Sequence, residues 1–461
     1  MTVHVAVVGD GVAAALAAAV LARAGAAVTR VPTGDGDIGL GPFGRAVLGP
    51  PDWQASEVAE AIGPVPGAVF ALGIAFAGWG PGGDAWFLPF GDVGAPLGAI
   101  PFLQVASRLR AQGHTVRLAD FSLAALAAQA ERFAPPSPDP RSPLSTLAMG
   151  IHYPADALAR ALGRLSGVRP TAPLADIAVA DGRVAALTLA DGGRIEADLF
   201  VDATGESARL IGRLGSAWES WRDWLPCDRA ATDATAEPLP PPPYAFHVAG
   251  PQGWTATVPL DGVRVETRFT VGGEGARYEN GLRRQAWRGN CVAVGAAAGM
   301  VDPVLGAPLL LALRQVERLA ALLPHAPDHA VEAAEYDRLT ASELERARDA
   351  AVALWATNGR VGEPLWDAAR DRAPEQLDWK LQLYRSRGRV PLYDDELLSR
   401  ADWTVILDGQ GLRPRRLDPL ASTVGDEQLF THAARLRNRL AAVVRQMPAH
   451  ADQLARYRAA R

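Results

Sequence analysis

Apolar and polar positions along the chain alternate between two periods. Val3–Val8 is an apolar run interrupted at His4 and closed by Gly9-Asp10-Gly11, and Ala13–Ala24 is apolar nearly all round and stops at Gly25. A short apolar run, a glycine turn and a longer apolar stretch predict a buried strand, a tight turn and a buried helix. Ala27–Val31 predicts the strand that completes this half of a Rossmann unit. Further on, Gly34–Pro51 reads as loop, Val69–Trp79 as a strand, Ala134–Pro143 as a surface connection and Ala155–Leu165 as a helix. Strands follow over Ile177–Leu189 and Arg194–Ala203, broken at Asp181-Gly182 and Asp191-Gly192, whose residue types supply positive φ. Leu239–Pro243 reads as an extended crossing segment. Trp254–Leu260 and Val263–Val271 read as an antiparallel pair, Asn290–Gly295 as a strand and Ala307–Leu323 as a helix. From Ala330 the pattern is helical, with a break at Gly409–Pro414. The expected class is α/β and Rossmann-like. Residues 1–330 are expected to form the dinucleotide lobe with an interleaved substrate lobe carrying antiparallel strands, and 331–461 a mainly helical part on the same body.

Composition narrows the function classes. The 461 residues are 49% hydrophobic and 21% charged, an ordinary globular mix. A net charge of −5 gives no general attraction to nucleic acid or anionic membrane. Cys227 and Cys291 lie far apart and suggest neither a zinc site nor a disulfide framework, which fits a reducing cytoplasm and no metal. No basic segment precedes the first apolar run, and Arg23 falls where a spanning helix would be apolar, so neither a targeting nor a spanning segment is read. Lys380 is the single lysine; arginine, which does not deprotonate, replaces it everywhere else.

Three ordered segments carry candidate chemistry. In Gly9-x-Gly11-x-x-Ala14 the first glycine permits the turn and the second allows close approach of a pyrophosphate. Ala14 keeps the helix close to the strand. Asp198–Gly205 is a strand ending in Asp202-Ala-Thr-Gly205. Gly289–Pro303 joins a strand to a helix through Gly295, other small residues, Asp302 and Pro303. Asp302 is read as a helix cap or a base beside the cofactor. The acidic residue expected at the end of the second strand for an adenosine ribose is absent: Pro32 stands there, with Asp35 and Asp37 beyond it as loop carboxylates.

Together these segments resemble the flavin-dependent tryptophan-halogenase family. The resemblance runs through Val69–Trp79, His152-Tyr-Pro-Ala-Asp156, Asp198–Gly205, Trp224–Arg229, Gly253–Leu260, Asn290–Pro303, Leu407–Pro414 and Met447–His450. It implies an FAD-dependent monooxygenase-type fold and FAD held by Gly9, Gly11, Ala14, Asp202, Gly205, Gly295, Asp302 and Pro303. It also implies a flavin reductase as partner, a homodimer, and an aromatic-walled substrate pocket for which Trp79, His152 and Trp254 are candidates. Trp79 and Trp254 serve equally as core packing, and His152 as a structural hydrogen-bonding residue.

The departures from the family are specific. The lysine that the family uses to carry or activate hypohalous acid falls at Ala71, and its glutamate partner falls at Leu305. Halide is held there by backbone N–H groups that fall at Ala307 and Pro308, and proline has none. The second tryptophan of Gly-Trp-x-Trp is Ala256, and the flavin strap's glutamate is Pro42. Halogenation is therefore not expected, and Pro32 lowers the expected FAD affinity, to weak binding or loss. Two functions stay open. One is a flavin-dependent monooxygenase acting on an aromatic or small organic substrate. The other is a catalytically degenerate FAD-fold protein that binds or scaffolds a partner, such as a related flavoenzyme subunit.

Overall fold

The structure is a computed structural model that describes residues 2–42, 44–236, 240–324 and 329–459. Phe43 of the expected 34–51 loop, Leu239 at the head of the proline run and the last two residues, 460–461, lie outside the described residues. The chain divides into two units, each made of three segments: Met1–Ala68, Tyr153–Asp233 and Thr267–Arg348 in the first, and Val69–His152, Ala234–Glu266 and Asp349–Arg461 in the second.

The first unit is built on a five-stranded sheet. Its order is Trp287–Arg288, Cys291–Ala293, Leu199–Asp202, His4–Val8 and Ala27–Val31. The last four strands run parallel, with Val8 beside both Asp202 and Val31 in register. A parallel sheet is covered on both faces, so its strands are apolar throughout; Val5–Val8 and Leu199–Val201 have no exposed surface. The helix Val12–Arg23 is buried from Val12 to Leu21 and packs on the helices Ala155–Ser166 and Pro308–Ala321. Its alanines bring those neighbours close, which explains a sequence apolar on every side. The strands Leu174–Ala180 and Arg183–Leu189 close through Asp181 and Gly182 at φ 50° and 71°, the primed turn a two-residue hairpin favours.

In the second unit the strands Gly253–Leu260, Ala245–Gly250, Gly73–Ala77 and Trp86–Pro89 are consecutive neighbours in one sheet. The expected strand Val69–Trp79 is interrupted at Leu72. Val69–Ala71 pairs with the stretch ending at His152, whereas Gly73–Ala77 pairs with Trp86–Pro89 and Ala245–Gly250. Leu72 marks the change of sheet: its N–H donates to the Pro243 carbonyl, and its carbonyl accepts from the Phe90 N–H. Helices from Pro364 to Ala459 complete the unit. Among the described residues no helix is long and apolar enough to cross a membrane, and no group of His, Cys, Asp or Glu could hold a metal. The α/β Rossmann-like class read from the sequence is the one observed.

Candidate functional site

Three parallel strands of the first unit end at the same edge of the sheet, at Val8, Asp202 and Ala293. Ligands of open α/β sheets bind outside the carboxyl ends of their strands. The turns that leave these ends meet there. Ala203 N–H donates to the Val8 carbonyl at 2.9 Å, and Val294 N–H to the Asp202 carbonyl at 3.0 Å. A side chain at Gly9 would run into the Ala203 carbonyl, so glycine is required where the two turns touch. Asp202 organises the second turn from a fully buried position. One carboxylate oxygen accepts from Thr204 N–H at 3.1 Å and the Thr204 hydroxyl at 2.6 Å. The other accepts from Leu210 and Ile211 N–H, both at 2.8 Å. Its hydrogen bonds thus hold its own chain.

Residues 33–39 lie in the concavity between these turns. Asp10, the middle residue of Gly9-x-Gly11, gathers four donors from them: Thr33 N–H and hydroxyl at 2.8 Å each, Asp35 N–H at 2.9 Å and Gly36 N–H at 3.1 Å. Burial raises its pKa, but the bonds from Thr33 and Gly36 outweigh this and hold it below the ordinary value. A Cβ on Gly11 would collide with Ile38, and one on Gly295 with the Gly39 carbonyl. The first-turn amide of the helix, Ala13 N–H, donates to Ile38 O at 3.1 Å, and Ala296 N–H to Gly39 O at 2.9 Å. Gly295 N–H is taken by the Gln315 side chain at 2.7 Å. Asp37 lies against Gly205 and accepts from Gly39 N–H at 2.7 Å. Burial pushes the pKa of Asp37 up, and the charges of Asp35 and Asp10 add to the shift despite the Gly39 bond.

An FAD diphosphate needs free amides at the helix start and positive charge. Here Ala13, Gly295 and Ala296 donate to protein acceptors, and the carboxylates of Asp10 and Asp37 lie within the same turns. The cavity beside Leu40, Gly295, Met300, Pro308 and Gln315 measures about 10 Å³, the space of one water centre. A wider groove of about 390 Å³ lies outside, between Leu174–Ile177 and Ser207–Arg213. Its two arginines are already engaged, Arg209 with Asp35 at 2.8 Å and Arg213 with Asp176 at 3.2 Å. As folded, the residues at this strand edge do not fit a dinucleotide's phosphates.

The remaining candidates fall in both units. In the first, Asp302 is buried and caps the short 3₁₀ turn Pro303–Leu305, accepting from Val304 N–H at 3.1 Å. Gly306 follows at φ 69°, and Pro308 opens the next helix. Asp228 and Arg229 form an ion pair at 3.0 Å. In the second unit Ala71 has no exposed surface and pairs with Gly150 in the sheet. Trp79 and Trp254 are core residues: Trp79 is fully buried and its ring lies 6.1 Å from Trp254, 6.0 Å from Trp355 and 5.3 Å from Trp366. His152 is fully buried, and the structural hydrogen bond expected of it is not made among the described residues, where neither ring nitrogen has a partner. Burial first, then His247 and His450, lower its pKa to about 3, which keeps it neutral. Lys380 is sealed against Glu396, with its ammonium 4.0 Å from the Trp403 ring centroid. Sequence reasoning missed Asp10 and Gln315 as organisers of the edge. The signal for Asp10 was its place inside the glycine turn; Gln315 gave none.

The architecture is shared with known proteins. A tryptophan-halogenase family model matches residues 4–274 and 263–426. A flavin-dependent halogenase from Xanthomonas campestris, Xcc4156, superposes with a TM-score of 0.90 at 28% identity, covering 99% of each chain. BrvH, a flavin-dependent halogenase from Brevundimonas sp. BAL3, gives 0.89 at 28% identity with the same coverage. The tryptophan 6-halogenase SttH of Streptomyces toxytricini is 29% identical over 303 residues, 57% of this chain and 56% of that protein. The chain thus spans a little over half the length of the curated relatives it matches. Xcc4156 and BrvH are flavin-dependent halogenases, and membership of the family implies FAD as the cofactor. With the parallel sheet, the glycine turn and the Asp202 and Gly295 turns at one strand edge, the chain belongs to the tryptophan-halogenase family.

Proposed function

We propose that this chain is a non-halogenating member of its family: it keeps the frame of a flavin-dependent oxidoreductase without the groups that deliver halogen. What supports this reading is the residue types at Ala71, Leu305 and Pro308, the positions at which the resemblance puts the family's lysine, its glutamate and a halide-binding amide. Ala71 is a sealed strand residue with a methyl side chain, and Leu305 ends a turn with an apolar one. Pro308 has no N–H with which to hold halide. Lys380 does not substitute, since its ammonium is already committed to Glu396. Loss of one acid–base group commonly costs about 10²–10⁴-fold in rate, and here both of the pair are absent.

Of the functions left to such a frame, the closed strand edge favours a catalytically degenerate protein that binds or scaffolds a partner, a related flavoenzyme being the partner class most in keeping with the family. The second reading is a flavin-dependent monooxygenase acting on an aromatic or small organic substrate, supplied by a flavin reductase. It is supported by the strand, glycine turn and helix at the carboxyl edge of the parallel sheet, where open α/β sheets bind their ligands. The test is incubation of the purified chain with FAD, a flavin reductase, NADH, chloride or bromide, and tryptophan or indole, read by mass spectrometry. No halogenated product is expected; a halogenated product that depends on this chain overturns the proposal. A hydroxylated product would select the monooxygenase reading over the binding one.

A further inference from the structure

The carboxyl edge of the first unit's sheet is closed by a segment of the chain itself, and the manner of closure has chemical content. The segment 33–39 is fastened at two points. Asp10 accepts four hydrogen bonds from Thr33, Asp35 and Gly36. Ile38 and Gly39 carbonyls then take the amides of Ala13 and Ala296, the donors that face the concavity from two different turns. Between the fastenings, Asp37 presses its carboxylate on Gly205, the last residue of the Asp-Ala-Thr-Gly turn. Glu206 follows Gly205 in the chain, its pKa raised by loss of solvent around the carboxyl and by Asp37. The arginines close by answer other groups: Arg30 donates to the Asp10 carbonyl at 2.7 Å, and Arg209 pairs with Asp35. An incoming diphosphate therefore meets carbonyl oxygens and carboxylates where it requires N–H groups and cations.

We propose that residues 33–39 form a self-inserted plug, pinned by Asp10 and carrying Asp37, that excludes an anionic dinucleotide from the strand edge. The chain does not take up FAD until this segment is displaced. The plug is an internal competitor: its two backbone carbonyls occupy the amides, and its carboxylate occupies the space over Gly205. The inference adds to the non-halogenating reading without depending on it. A chain that binds FAD tightly and still forms no halogenated product removes the plug and leaves that reading standing.

The experiment titrates FAD into the purified full chain, followed by quenching of flavin fluorescence, in wild type, Asp37→Asn and Asp10→Asn. Asp37→Asn keeps the shape and the acceptor for Gly39 N–H while removing the charge, so it is expected to fold. Wild type is expected to show no saturable binding at FAD concentrations where active relatives saturate. Asp37→Asn is expected to bind at least about tenfold more tightly than wild type, equivalent to ~1.4 kcal/mol, and Asp10→Asn to follow. Hydrogen exchange on the same samples should show the Ala13 and Ala296 amides protected in wild type and exchanging faster in Asp10→Asn. Tight stoichiometric FAD binding by wild type overturns the proposal. So does a failure of both variants to gain affinity, because the plug is then not what excludes the cofactor. Rapid exchange of Ala13 and Ala296 in wild type overturns it independently.

Discussion

Replacing Asp202 by alanine should loosen the whole strand edge. The carboxylate is fully buried and accepts from three backbone amides, those of Thr204, Leu210 and Ile211, as well as from the Thr204 hydroxyl. The hydroxyl can turn to another acceptor, but the amides cannot. A buried N–H left without an acceptor costs about 1–3 kcal/mol, so three cost roughly 3–9 kcal/mol. Water entering the vacated space recovers part of this, leaving an expected loss of about 3–5 kcal/mol. For a body of this size that is on the order of 10 °C in the melting temperature of the transition that unfolds the first unit. Asp202→Asn keeps one oxygen but turns an NH₂ toward the remaining donors, and about half the loss is expected. The assay is thermal unfolding joined to hydrogen exchange of the Leu210 and Ile211 amides, which should lose protection before the rest of the sheet. An Asp202→Ala protein with unchanged melting temperature and unchanged protection at both amides would refute the argument that this carboxylate organises the turn.

Other consequences are equally direct. Lys380→Met strands Glu396, leaving its carboxylate the Trp403 indole N–H at 3.0 Å; an unpaired buried charge costs about 3–5 kcal/mol, and adding Glu396→Gln should restore most of it in calorimetry. Lack of recovery in the double variant would show that packing, not charge, sets the effect. His152 is neutral in the fold, with a pKa near 3 against an ordinary value of 6.5. The unfolded chain binds the extra proton below pH ~6.5, so the contribution is fully present above that pH and is lost as pH falls, by ~1.4 kcal/mol per pH unit. His450, lowered to about 4 mainly by burial, adds to the slope in the same direction. His152→Leu should flatten the acid limb of stability against pH, measured by urea midpoints; a slope equal to wild type speaks against a buried neutral imidazole. Gly295→Ala places a methyl against the Gly39 carbonyl at a residue with φ 62°. It should cost about 1–3 kcal/mol and speed exchange of the Ala296 amide, whereas a neutral effect on both would deny the close approach.

Much of the frame was legible in the chain. Val3–Val8, Gly9-x-Gly11 and Ala13–Ala24 fixed a strand, a turn and a helix because local pattern and glycine stereochemistry suffice for elements buried on every side. The hairpin turn at Asp181-Gly182 followed from residue types that tolerate positive φ. Family membership was likewise readable, since it depends on order along the chain rather than on contacts. Other features were decided by tertiary structure. The break at Leu72 comes from a change of sheet partners, which an unbroken apolar run does not record. Trp79 and Trp254, candidates for a substrate wall, became part of a tryptophan core because the indoles of Trp355 and Trp366, distant in sequence, arrive beside Trp79. Above all, Gly11 and Gly295 can accommodate a pyrophosphate or a neighbouring backbone equally well. The sequence determined that something must approach them closely. Only the folded chain, with Asp10 holding residues 33–36 and Ile38 and Gly39 on the amides, decided that the partner is the protein itself.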